Sequence, residues 1–343
     1  MSTQIPPSLR KPYCGRPMLL LSMWVMAWAF SFPGHSWAST ANTGPLPLKA
    51  PEPAAAAACP PSVSSTAAAQ AAAPRDRGFL WRATRDGRTL YLFGTLHVGK
   101  PAWRRLGPQT GAAMRASDVL ALEVDPSDPA LLKAMADTRP PLPLPAALQQ
   151  RLMKAYERAC VAADAMATLH PVLQATSLTV LEARWLGMDP IFSMEVALSS
   201  LARSLGRRVI SLESAAQQVK ALVPDDEAEA QSLLDQSLLQ LEDQSGRRVL
   251  KRLAQAWEAG ELELLENYEA WCECIASEAD KAFLHKLNDE RNPALAAGIE
   301  AQHQQGKRVF AAVGALHMTG PKSLPLLLAQ RGFKVERIAF AAR

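Results

Sequence analysis

The sequence predicts an α/β fold: a central mixed sheet flanked by helices, with a large helical insertion in its middle. Three observations lead there. An apolar run closing on Gly-x-Leu-His occurs twice, as Leu90-Tyr91-Leu92-Phe93-Gly94-Thr95-Leu96-His97 and as Val309-Phe310-Ala311-Ala312-Val313-Gly314-Ala315-Leu316-His317. Strand-like and helix-like stretches alternate at both ends of the folded region. The interior between them reads as helix after helix.

The elements follow in order. Residues 79–84 and 89–93 are rich in β-formers and meet at Asp86-Gly87, a hairpin dipeptide. Residues 102–116 have helical character. Residues 118–124, Asp-Val-Leu-Ala-Leu-Glu-Val, form a strand ending in Glu123 and Asp125. Residues 128–205 are mostly helical, punctuated by Pro140, Pro141, Pro143, Pro145 and Pro171. A short strand at 208–212 has Glu213 at its end. A long helical region covers 214–305, with breaks expected near Pro224, Gly260 and Pro293; Leu233, Leu234, Leu238 and Leu241 mark a core-facing stripe within it. The strand at 307–313 leads into the second Gly-x-Leu-His, a helix at 323–330 stops at Gly332, and a strand at 333–340 closes the chain.

The ends carry different signals. Arg10, Lys11 and Arg16 precede an apolar stretch from Met18 to Phe30, then Pro33-Gly34 and the small residues around Ser36-Trp37-Ala38. That order is a secretory signal peptide, 1–38, and places the protein in the periplasm or outside the cell. The apolar stretch is shorter than the roughly 20 residues a span needs, so no stable membrane span is expected after cleavage. Residues 39–77, rich in Ala, Pro, Ser and Thr, read as a disordered tether, and 78–343 as one folded domain. Removing three basic and no acidic residues with the signal lowers the formal charge from +4 to +1. That balance gives no reason to expect nucleic acid as a partner. Of the five cysteines, Cys14 lies in the signal and Cys59 in the tether. Cys160 is expected to pair with Cys272 or Cys274 in an oxidising compartment, with a Cys-x-Cys metal site as the alternative.

His97, His317 and Glu123 stand at or just past predicted strand ends, where open α/β sheets bind ligands. Two imidazoles and a carboxylate are the donor set of a divalent transition-metal site with open positions. The same groups can work without metal, a histidine acting as general base on water. Glu123 has a plain alternative, capping the helix near Asp128. Arg291 is a candidate for binding a carboxylate or an oxyanion, or is a surface charge. Glu213 is either a weaker site candidate or a helix start. His35 falls in the signal, His170 at a helix start, and His285 and His303 on polar helix faces. His-Glu-x-x-His, the Gly-x-Ser-x-Gly elbow and a phosphate-binding loop are all missing from the sequence, which disfavours zincins, elbow-type serine hydrolases and nucleoside triphosphatases.

With these residues laid out, the chain resembles the TraB/GumN (PrgY, TIKI-like) family. The matching pieces are Phe93-Gly94-Thr95-Leu96-His97, Leu122-Glu123-Val124-Asp125, Gly187-Met188-Asp189, Leu212-Glu213 with Gln218, Glu290-Arg291-Asn292, and Val313-Gly314-Ala315-Leu316-His317 through Gly320-Pro321 to Gly332-Phe333-Lys334-Val335. They span nearly all of Gly78 to Arg343. The resemblance implies an erythromycin-esterase/TIKI-like fold. It also implies a metal-dependent, peptidase-like hydrolase in which His97, Glu123 and His317 hold manganese, cobalt or a similar divalent ion, with Arg291 matching a recurrent family arginine. The wider superfamily is similar to erythromycin esterases, which hydrolyse without an established metal, and some members are pheromone-shutdown proteins. Three functions follow as expectations: a metal-dependent hydrolase of peptides or small molecules, a non-catalytic protein that binds or sequesters such ligands, and a metal-free esterase-like hydrolase.

Overall fold

The computed structural model describes residues 59–66, 73–137, 142–275 and 277–340. The expected signal peptide and most of the expected tether lie outside the described residues. Six strands form one sheet in the order β4-β3-β5-β2-β1-β6: β1 (Phe79–Arg85), β2 (Arg88–Thr95), β3 (Val119–Leu122), β4 (Arg208–Ser211), β5 (Val309–Gly314) and β6 (Lys334–Ile338). The helices are α1 (Pro108–Arg115), α2 (Pro129–Ala136), α3 (Ala146–Ala159), α4 (Pro171–Leu181), α5 (Met194–Ser204), α6 (Ala215–Leu222), α7 (Glu227–Asp243), α8 (Ser245–Ala259), α9 (Leu262–Glu266), α10 (Tyr268–Trp271), α11 (Glu278–Leu287), α12 (Asn292–Gln304) and α13 (Leu324–Gln330). This is the mixed α/β sheet with a helical insertion that the sequence predicts. Among the described residues no helix is long and apolar enough to cross a membrane.

The sheet is built from both kinds of connection. β1 and β2 form the expected hairpin, with Asp86 at φ 52° and Gly87 at φ 69°. Two successive left-handed residues match the twist of the flanking strands, and Asp and Gly tolerate that conformation best. β2, β5, β3 and β4 run parallel, so their C-terminal ends share one edge. β5 and β3 are buried at every position, which is why both read as continuous apolar runs without alternation. β5 comes last of the four parallel strands in the chain but inserts between β2 and β3, so the two Gly-x-Leu-His segments leave neighbouring strands.

Several boundaries differ from expectation. Folded contacts begin before Gly78: Asp76 accepts from the backbone N–H groups of Gln109 (3.0 Å) and Thr110 (2.8 Å) and so caps α1. Cys160 does not pair with Cys272 or Cys274. It bonds Cys59, 101 residues away, and Cys272 bonds Cys274 across a Cα separation of 5.0 Å. Both pairs satisfy the reach of a disulfide; composition had placed Cys59 in a tether, where no fold contact was visible. The long helical region also breaks at Gln244, which is left-handed at φ 59°, while the side chain of Asp243 accepts from the N–H of Ser245 at 2.7 Å. His303 is not on a polar face. It is wholly buried, edge-on to Phe333 at 4.9 Å, and lies on the same stripe of α12 as buried Leu295 and Ile299, four residues apart each time.

Candidate active site

All four strand ends on the parallel edge deliver a polar side chain to one place. His97 follows β2, Glu123 follows β3, Glu213 follows β4 and His317 follows β5. The edge at β2 is held by close backbone approach. Gly99 pairs with Asp189 through both backbone groups (3.1 and 2.9 Å), and a Cβ on Gly99 would come within 2.0 Å of the Phe192 carbonyl oxygen. Only glycine fits there. The N–H of Met194 reaches the Leu96 carbonyl at 3.3 Å, which sets the first turn of α5 against the rim. That turn places Glu195 beside His97, with Oε1 3.0 Å from Nδ1.

Glu123 is part of this site. Its capping alternative fails because Asp128 caps α2, accepting from Ala130 N–H at 2.9 Å. Glu123 is buried; Oε1 accepts from the Gly314 N–H at 2.8 Å and Oε2 from Arg291 Nη2 at 2.7 Å. Arg291, expected to bind a substrate anion or to lie on the surface, is largely buried, with its side chain 12% exposed. Its Nε donates to Glu213 Oε1 at 2.9 Å, its Nη2 also donates to Glu213 Oε2, and its Nη1 donates to the Leu287 carbonyl at 3.0 Å. Burial opposes its charge, but Glu123 and then Glu213 outweigh that and raise its pKa. Arg291 therefore clamps two buried carboxylates with one guanidinium.

The surroundings shift the two histidine pKa values in opposite directions. Asn292 donates through Nδ2 to the carbonyls of His317 (3.3 Å) and Lys322 (2.8 Å), which leaves its Oδ1 as the acceptor 2.6 Å from His317 Nδ1. His317 therefore carries its proton on Nδ1 and presents a lone pair at Nε2, 3.7 Å from Glu123 Oε2. Burial holds the His317 pKa well below the usual histidine value; Arg291 and His97 add to the effect and Glu213 opposes it. Burial also disfavours charge on His97, yet Glu195, by charge and hydrogen bond, with help from Glu123, raises its pKa. The same edge thus holds two histidines whose pKa values are pushed in opposite directions, and divergence of this kind marks acid and base roles.

The residues do not fit a metal ion in this arrangement. Among the described residues no group of three or more His, Cys, Asp or Glu side chains is disposed to hold one. Glu123, the expected carboxylate ligand, has one oxygen on a backbone N–H and the other on Arg291. The buried guanidinium already balances the negative charge that a divalent ion would require. The Cys-x-Cys alternative is closed by the Cys272–Cys274 disulfide.

The structure thus brings His97, Glu123, His317 and Arg291 together, joined by Glu213, which the sequence ranks lower. Glu195 and Asn292 were missed. Asn292 stands directly after Arg291 in the motif Glu290-Arg291-Asn292, so its neighbour was a signal. Glu195 shows only as an acidic residue in the first turn of a helix.

The histidines also set the response of stability to acid. His317, His303 and His170 are all held below the ordinary value, by burial first in each case. Unfolded histidines titrate near about 6.5. Below that pH the unfolded chain binds protons that these three refuse, so their contribution is full above about 6.5 and falls as pH drops toward each folded value. His97 acts oppositely: its contribution is full below about 6.5 and is lost as pH rises through its raised value. With three against one, the urea midpoint is expected to fall between pH 6.5 and pH 5, and a rise across that interval would contradict these assignments.

A sequence model described as the TraB/PrgY/gumN family matches residues 79–337. No curated protein and no solved structure matches the chain significantly.

Proposed function

The chain belongs to the TraB/PrgY/gumN family, and from that premise we propose that it is a hydrolase of acyl bonds, ester or amide, working by general acid–base chemistry at the His97–Glu123–His317 edge. One observation carries the reading: two histidines at the ends of adjacent parallel strands stand about one buried carboxylate, with pKa values shifted in opposite directions. In the step this supports, water adds to the substrate carbonyl carbon while its proton passes to His317 Nε2. Glu123 stabilises the imidazolium that results. As the tetrahedral intermediate collapses, the bond to the leaving oxygen or nitrogen breaks and His97 Nε2–H supplies the proton that group takes. Arg291 and Glu195 touch no reacting atom here. They fix the charge and orientation of the groups that do.

Chromogenic esters and amides offered to the full chain, with and without exhaustive chelation, test the reading. Turnover is expected to survive chelation and to disappear in His317→Asn. Loss of turnover on chelation would return a metal to the site, and equal turnover in wild type and His317→Asn would end the hydrolase proposal. The pH profile of kcat/KM should be a bell, because His317 must be unprotonated and His97 protonated. Glu195→Gln removes the charge that raises His97 and should move the alkaline limb down by about 1–3 pH units; an unmoved limb would deny His97 the role of acid.

We also place the protein outside the cytoplasm. The basic, apolar and small-residue order of residues 1–38 supports this, as do two disulfides in the fold. Cell fractionation that finds the chain only in the cytosol would refute it.

A further inference from the structure

A cavity of about 620 Å³ opens beside the active edge, between α2, α6 and the start of α7. None of the four histidine and carboxylate side chains at the strand ends lines it. Its position follows from the topology. α2 begins six residues after Glu123 and α6 two residues after Glu213, so both walls are helices leaving the strand ends that carry the site's carboxylates. The two helices pack on one another. α6 faces both ways: Gln218 donates to Glu213 Oε2 at 3.5 Å, while Val219, next in sequence, lines the cavity.

The walls have a definite chemistry. Ala134, Leu142, Val219, Val223, Pro224 and Ala230 make them aliphatic, and among the described residues no Phe, Tyr or Trp lines them. The large aromatic side chains that would stack on a base or a planar ring are not among these described lining residues. The volume falls in the range of small-molecule sites. Lys133 and Asp137 at the margin are paired with each other. Lys220 supplies positive charge, and His170 accepts the Val172 N–H at Nδ1 (3.3 Å), which leaves its own proton on Nε2. Asp225 and Glu227 also line the margin, at the turn that opens α7.

We propose that this cavity binds an aliphatic acyl chain, with the carbonyl or carboxylate end of that chain met by Lys220 and His170. The inference rests on the hydrolase reading only in calling the occupant a substrate's acyl group; binding itself needs no turnover. Free fatty acid and acyl ester share this chemistry, and the experiment separates them.

Isothermal titration of the full chain with lauric acid, butyric acid and the tripeptide Leu-Leu-Leu reads binding directly. Lauric acid should bind saturably at one site, with butyric acid weaker by about a hundredfold or more, since affinity grows with each buried methylene. Ala216→Trp, at an exposed position on the cavity wall, should weaken lauric acid at least about tenfold by filling the space. Lys220→Glu, a surface change that leaves the fold intact, should weaken it about threefold. Lauric acid bound no better than butyric acid, or bound equally by wild type and both variants, overturns the proposal. Tighter binding of Leu-Leu-Leu also overturns it and gives the cavity to a peptide. Turnover of p-nitrophenyl laurate separates the two readings. Lauric acid bound without turnover keeps the acyl cavity and ends the hydrolase; turnover that the cavity variants leave unchanged keeps the hydrolase and ends the acyl cavity.

Discussion

Arg291→Met is expected to destabilise the protein by about 3–5 kcal/mol, a large part of the stability of an ordinary domain. Methionine fills much of the same space and extends the α11–α12 junction without strain, so lost volume is not the cause. The cause is electrostatic. Glu123 and Glu213 are buried, with side-chain exposures of 6% and 7%, and both are bonded to the one guanidinium. Without it, two carboxylates face each other across a poorly solvated space with no countercharge, and a buried ion left unpaired costs far more than the pair itself contributes. Urea unfolding at pH 7 measures the effect. Part of the loss should be recovered in the triple variant Arg291→Met, Glu123→Gln, Glu213→Gln, because the uncompensated charges go with their partner. A single variant within about 1 kcal/mol of wild type would mean that the carboxylates are solvated or protonated and that the clamp is misread.

His317→Asn should lower kcat/KM by about 10²–10⁴-fold, the range typical of removing a positioned general base. Asparagine is the informative replacement. Its amide N–H can occupy the place of the imidazole Nδ1–H and keep the bond to Asn292 Oδ1, now 2.6 Å long, while Nε2 is lost. Stability should therefore change little and activity greatly. The loss should appear in kcat more than in KM, since the missing interaction acts on the proton in flight rather than on bound substrate. A variant that keeps wild-type kcat on a substrate the protein hydrolyses would remove His317 from the chemistry, whatever its position at the strand end.

The sheet was readable in the sequence for local reasons. β5 and β3 are buried on both faces and so announce themselves as uninterrupted apolar runs; the first hairpin shows in Asp86-Gly87, where the backbone demands residues that accept positive φ. The two histidines were readable because the same strand-Gly-x-Leu-His phrase is written twice. The errors have a common origin in long-range pairing. Cys160 finds Cys59 across 101 residues, and Asp76 caps a helix more than thirty residues downstream. Neither leaves a periodic or compositional trace. Arg291 could be singled out but not assigned, because the sequence carries no sign that Glu123 and Glu213, 168 and 78 residues away, take up its guanidinium.

The sequence by itself determined which strands exist, which of them are buried, and which histidines stand at their ends, since each of those depends on residues adjacent in the chain. Tertiary structure alone decided that β5 enters between β2 and β3, that Glu195 raises the His97 pKa while burial lowers that of His317, and that Arg291 occupies the charge a metal would have answered. Protonation and ion pairing depend on distance through space and on exclusion of water, and both are fixed only when remote segments close on one another.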